Sequence, residues 1–194
     1  MSRRHSDSAV LEAARECVAD LGVRRTTVSD VARRAGASRM TVYRMFPDAR
    51  SLWSTLLTTE FSDVVRAAEE ETAHLRTARE RLAATAVSVV RRLAADPVVR
   101  RVIELDPDLL LPYLVERLGQ SQRIAMAHFS RLLDEGAADG SIRAVDAATV
   151  TYVLQLMVGS MVIAARVTER EVDPESAMRE LHHLLDAYLA PVPS

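Results

Sequence analysis

Between Ser38 and Arg44, SRMTVYR, five hydrogen-bonding side chains crowd into two turns' worth of chain, with no acid among them. Arg39 and Arg44 are the long donors. A guanidinium can bond a guanine edge bidentately or grip a phosphate, and the segment alone does not separate these roles. Thr41 can meet a phosphate or a thymine methyl. Met40 can touch a thymine methyl or simply pack. Tyr43 has an apolar ring and a polar tip. This set suits recognition of a polyanion. Catalytic patterns are missing: there is no Gly-rich phosphate loop, no G-x-S-x-G and no Cys/His nucleophile pair. The single cysteine, Cys17, excludes a disulfide framework within one chain. His182 and His183 are adjacent, without the i, i+4 spacing of a helical metal pair. Neither a metal nor a cofactor is expected.

Two short helices must position those donors. Thr27 is a good N-cap, and Asp30 three residues later can bond back to it. Val28, Val31 and Ala32 give the first helix one apolar side, and Ala35-Gly36 ends it. Ser38 caps the second helix, Val42, Met45 and Phe46 form its apolar side, and Pro47 stops it. Two such helices around a glycine turn make a helix-turn-helix, whose second helix enters the major groove. Backbone N–H groups beside Thr27 can also meet a phosphate.

The string TTVSDVARRAGASRMTVYRMFPDARSLW resembles the DNA-binding segment of the tetracycline-repressor (TetR) family. The matching residues are Thr26-Thr27-Val28, Val31-Ala32, Ala35-Gly36, Ser38, Thr41, Tyr43, Phe46-Pro47 and Leu52. The resemblance implies a ligand-responsive transcriptional regulator, most simply a repressor. It would bind a palindromic double-stranded DNA operator as a homodimer and be released by a small, hydrophobic effector. It also makes Tyr43 a phosphate-binding hydroxyl. One position departs from the pattern: the family usually carries a lysine just after Phe-Pro, where this chain has Ala49. Arg50 is next to it, but one residue turns a helix by about 100°. The DNA-binding residues are therefore expected to be Thr27, Ser38, Arg39, Met40, Thr41, Tyr43, Arg44 and Arg50. The alternative is a non-catalytic helical protein-interaction module.

Charge distribution agrees with DNA binding at the N-terminal end. Residues 1–52 hold ten Arg against six Asp/Glu, net +4; the remainder holds fifteen against twenty-one, net −6, giving the overall −2. A basic segment beside an acidic remainder marks the first as the part that meets a polyanion. With 48% hydrophobic residues and few glycines or prolines among 194, an all-α fold of about nine helices is expected. It comprises an N-terminal three-helix bundle with the helix-turn-helix (1–50) and a C-terminal helical ligand-binding and dimerisation domain (51–194). The apolar stripe Val10, Leu11, Ala14, Cys17, Val18, Leu21 marks a first helix, and Asp48 caps a long fourth. Glu69-Glu70-Glu71 reads as a solvated face. Later helices are expected at Thr77–Ala95, Val98–Leu105, Leu109–Glu135, Ala147–Val167 and from Pro174 to Leu189. MSRRHSDS lacks an apolar core to act as a signal peptide, and Val150–Ala165 is short for a membrane span, so a cytoplasmic protein without membrane association is expected.

By resemblance the last two long helices form the dimer interface, with Val150, Leu154, Met161, Met178, Leu181 and Leu185 as its residues. A ligand pocket is expected to draw on Trp53, Phe61, Val90, Ile103, Tyr113, Met126, Phe129, Gln155 and Met157. Its methionines suit an adaptable apolar site.

Overall fold

The computed structural model describes residues 7–107 and 119–191. Among them are nine helices and no strand: α1 Asp7–Leu21, α2 Val28–Arg34, α3 Arg39–Met45, α4 Ala49–Thr72, α5 Ala78–Ala95, α6 Pro97–Leu105, α7 Gln120–Ala138, α8 Ala147–Glu171 and α9 Pro174–Leu189. The expected all-α class holds. The start expected for α7 at Leu109 lies largely outside the described residues, and α8 runs four residues past Val167.

Local chemistry accounts for most boundaries. The Thr27 hydroxyl accepts from Asp30 N–H at 3.2 Å while the Asp30 carboxylate accepts from Thr27 N–H at 3.0 Å, a reciprocal capping box. Ser38 accepts from Thr41 N–H at 3.1 Å, and Asp48 from Ser51 N–H at 2.6 Å. Asp96 and Asp173 cap α6 and α9, each followed by proline at the first helical position, where no N–H is needed. Thr77 and Glu80 form a second reciprocal box at the start of α5.

The described residues form two compact units, one of 7–61 with 95–107, the other of 62–94 with 119–191. This partition differs from a linear division at residue 50. The first half of α4 belongs to the first unit, and so does α6, although it lies some fifty residues beyond the helix-turn-helix. Val10, Ala14, Cys17 and Val18 of α1, Val31 of α2, Val42 of α3, Leu52 and Leu56 of α4, and Val98 and Val102 of α6 make one buried cluster. Three short helices bury too little apolar surface for independent stability. Here α4 and α6 enlarge that core. Cys17 is buried within it, and desolvation pushes its thiol pKa up, as for a small inert hydrophobe.

In the second unit α7 packs against α8, and α8 against α9. Polar ties hold the periphery: the Arg79 guanidinium meets Asp186 at 2.8 Å, Arg81 meets Glu135 at 2.8 Å, and Arg143 stacks over the Tyr188 ring at 4.3 Å. Glu69-Glu70-Glu71 is not simply solvated. Glu71 accepts from Ser88 at 2.6 Å and Arg92 at 2.9 Å, Glu70 pairs with Arg66, and Glu69 pairs with Arg131 at 2.7 Å and with His128. Successive helical residues point about 100° apart, so three like charges reach three different sets of partners. Residues 147–165 of α8 are long and apolar enough, by length and composition, to cross a membrane, and a third of that stretch is buried inside the protein.

Candidate nucleic-acid interface

The candidate surface is built on α3. Val42 and Phe46 anchor that helix in the core of the first unit, which fixes its rotation. The opposite side then has to face outward, and Arg39, Met40, Tyr43 and Arg44 are all exposed there. Met40, 76% exposed, is the most open large hydrophobic residue among those described. None of the described residues covers it, so packing within the unit does not explain it. The turn before α3 depends on Gly36, whose φ of +65° suits a residue without Cβ.

The donors differ in how far they are already engaged. Arg39 reaches across to the Ser29 hydroxyl of α2 at 3.5 Å, a long contact that leaves most of its donors open. Ser38 and Thr41 hydroxyls lie 2.9 Å apart at the start of α3. The Thr27 hydroxyl donates to Asp30 at 2.6 Å, so within the chain it serves the cap. Hydrogen bonding from Thr27 holds the Asp30 carboxyl below its usual pKa, with Arg33 adding to the effect. Arg33 pairs with Asp30 at 2.8 Å, and Arg34 with Asp20 at 2.8 Å. Arg44 and Arg50 are exposed and make no ion pair among the described residues. Ala49 is half-buried at the start of α4 with Arg50 beside it pointing outward.

A second tier of residues holds this surface, and the sequence gives little sign of it. Asp106, at the end of α6, is 4% exposed. Its Oδ2 accepts from the backbone N–H of Val23 at 2.8 Å and of Arg24 at 3.3 Å, and Oδ1 lies 3.7 Å from the Arg24 guanidinium. It thereby clamps the loop that leads into α2. Gly22 makes the approach possible: its φ is +84°, and a Cβ there would meet Asp106 Oδ2 at 3.0 Å. Arg101 of α6 donates to the carbonyls of Ala19 and Asp20 at 2.8 and 3.2 Å. Arg15 of α1 links Glu60 at 3.0 Å with Asp96 at 3.4 Å. In sequence Asp106-Pro107 reads only as a helix break, because its partners lie more than eighty residues away. The buried Thr26, bonded to the Gly22 carbonyl at 2.7 Å, completes the loop.

The residues expected to line a ligand pocket are divided between the two units. Trp53 packs against the core of the first unit, and Phe61 and Ile103 also belong there. Val90 and Phe129 are fully buried core of the second, with Met126, Gln155 and Met157 half-buried in the same unit. Tyr113 lies outside the described residues. The expected set is therefore not gathered in one unit. The second unit does contain a cleft of about 410 Å³ lined by Glu69, Arg81, Thr85, His128, Arg131 and Glu135 among others. His128 is buried, with Nδ1 facing Glu69 and Arg131; burial lowers its pKa below the ordinary value, only partly offset by Glu69.

The expected interface residues are also placed differently. Val150, Leu154, Met178, Leu181 and Leu185 are all buried within the unit itself, and only Met161 is half-exposed. What α8 and α9 leave exposed is Tyr152, Val153 and Leu156, and Leu184 and Tyr188. An apolar stripe at helical spacing identifies a buried face but not what buries it, and here the chain's own helices do.

Residues 10–52, which run from α1 to the start of α4, match the family model described as bacterial regulatory proteins, tetR family. An uncharacterized HTH-type transcriptional regulator of Mycobacterium tuberculosis is 35% identical over 191 residues, covering 97% of this chain and 98% of that protein. Among solved structures, the transcriptional regulator FadR from Bacillus subtilis, in complex with stearoyl-CoA, superposes with a TM-score of 0.71 at 19% identity, covering 95% of this chain and all of that one. RolR in complex with resorcinol gives a TM-score of 0.66 at 18% identity, covering 96% and 88%.

Proposed function

The chain belongs to the tetR family of bacterial regulatory proteins, helix-turn-helix transcriptional regulators, and from that premise we propose that it is a repressor binding a palindromic operator as a homodimer and released by a small effector. The observation that carries this reading is the exposed side of α3. Four groups suited to phosphates and base edges stand on a capped helix whose other side is locked in the core. Arg44 and Tyr43 supply the principal contacts, Arg39 and Met40 read base edges, and Ser38, Thr41 and the Thr27 end of α2 hold phosphates. Arg50 supplies a backbone contact from the start of α4.

The uncovered apolar groups on α8 and α9 support dimerisation. Tyr152, Val153, Leu156, Leu184 and Tyr188 are each 42–50% exposed, and a second copy of the chain would cover them. A two-fold dimer places two α3 helices at half-sites about one DNA turn, roughly 34 Å, apart. The effector enters the second unit. Ligands as different as stearoyl-CoA and resorcinol, seen in proteins of similar fold, support a small-molecule site there. An effector releases DNA only by preferring a dimer geometry that misfits the operator. The α4 helix, with residues in both units, is the proposed transmitter.

The test is a gel-shift titration on a palindrome from the gene's own upstream DNA across a salt series. The expected result is a steep loss of affinity with salt and a specific-to-nonspecific ratio of about a thousandfold or more. Equal affinity for operator and unrelated DNA would refute it.

A further inference from the structure

Seven polar or charged residues are buried in the described part of the chain, and most have their partners inside it. In the second unit the Thr72 hydroxyl donates to the Ala68 carbonyl at 2.9 Å and meets Thr85 at 2.8 Å, and Ser88 donates to Glu71. Two keep an unpartnered atom: His128, at Nε2, and Thr151 of α8. Thr151 is 3% exposed, and its hydroxyl has no hydrogen-bond partner. In one of its two helical rotamers a threonine hydroxyl bonds the carbonyl three or four residues back. Thr72 uses it, and so does Thr55, at 2.8 Å. Thr151 does not. One turn along the same side of α8, the Gln155 Oε1 is also buried without a partner. One turn further, Gly159 leaves space: a Cβ there would meet only Gln155 Nε2, at 3.6 Å. Leaving two such atoms unsatisfied is costly, and their i, i+4 spacing lets both reach one small group.

We propose that Thr151 and Gln155 form the recognition site for a hydroxyl group carried by an otherwise apolar, uncharged effector. The proposal rests on the reading of the second unit as the effector domain and adds the ligand's chemistry. A hydroxyl both donates and accepts, so it can give its proton to Gln155 Oε1 and take one from Thr151 Oγ1. The rest of the inward side of α8 is Val150, Leu154, Val158 and Val162, and the buried side of α7 supplies Phe129, Leu132 and Leu133. None of these carries a charge; His128 on α7 turns Nδ1 to Glu69, its buried Nε2 has no partner, and burial disfavours its charged form. These apolar side chains cannot neutralise a carboxylate or phosphate, whereas a neutral hydroxyl needs no counter-charge.

The test uses three probes built on the same ten-carbon chain, 1-decanol, 1-methoxydecane and decanoate. Each is titrated against the full chain by thermal shift, and in parallel against the chain bound to operator. The expected result is that 1-decanol binds at least tenfold tighter than the ether, which can accept but not donate, and that decanoate binds no better than the ether. Thr151→Val and Gln155→Leu should abolish that preference while keeping or raising the melting temperature without probe, since each removes an unpartnered polar atom. Thr151→Ser, which keeps a hydroxyl, should keep the preference. Equal affinity for alcohol and ether, tightest binding of decanoate, absence of binding by all three, or an unchanged preference in Thr151→Val would each overturn the proposal. Alcohol binding that leaves the operator complex intact would preserve the site and sink the release mechanism instead. Release by decanoate with no alcohol preference would do the reverse.

Discussion

Replacing Asp106 tests whether α6 is part of the DNA-binding unit's support. In Asp106→Ala the loop loses a charged acceptor for two N–H groups. The 2.8 Å bond to Val23 is the stronger, and a hydrogen bond to a charged group contributes about 1.5–3 kcal/mol. The 3.3 Å bond to Arg24 is close to the outer limit, and that N–H belongs to an exposed residue that water can serve, so it adds less than about 1 kcal/mol. The Arg24 ion pair adds little, because the Arg24 side chain is 59% exposed. Asp106→Ala should therefore cost about 2–4 kcal/mol. Asp106→Asn keeps one oxygen acceptor and should cost roughly half as much, and Arg24→Ala less than about 1 kcal/mol. Trp53, the only tryptophan, packs on this core, so its fluorescence during urea unfolding reports the unit directly. Operator affinity, measured well below the unfolding midpoint, should fall in the same order, because the loop that carries Thr27 loosens. If Asp106→Ala and Asp106→Asn both unfold within about 0.5 kcal/mol of the parent, the clamp contributes nothing and the reasoning fails.

Arg44→Ala and Tyr43→Phe should each weaken operator binding about five- to a hundredfold, with Ala49→Lys strengthening or barely changing it; two neutral substitutions in a binding isotherm would mean that α3 does not read the groove. Ser38→Ala removes the α3 cap and should cost about 1 kcal/mol in urea unfolding, with a parallel loss of operator affinity. Burial lowers the His128 pKa, so the unfolded chain binds more protons on the acid side of the ordinary value of 6.5. Stability should then be full above pH about 6.5 and fall as pH drops towards the folded value, and in His128→Gln this part of the slope should vanish from unfolding curves taken between pH 5 and 7.5. Leu156→Glu with Leu184→Glu should turn a dimer into a monomer in sedimentation velocity, whereas a parent that is already monomeric would remove the dimer from the proposal.

The helix-turn-helix was legible in the sequence because its signals are local. The Thr27–Asp30 box, the Gly36 turn, the Ser38 cap and the Pro47 stop all act within four residues, and the structure holds each of them where the spacing puts it. The fourth-helix cap and the Asp173-Pro174 start of α9 were legible for the same reason. What tertiary structure decided is every choice of distant partner. Asp106 meets Val23 across 83 residues, and Glu69 meets Arg131 across 62. No periodicity encodes such a pairing, since a carboxylate on a helix face has the same local pattern whether it clamps a loop or faces water. The interface and pocket residues show the same limit. α8 is apolar around much of its circumference, so composition leaves its rotation undetermined. Packing against α7 and α9 turned Val150 and Leu154 inward, left Tyr152 and Leu156 outside, and drew Thr151 into the interior with its hydroxyl unpaired.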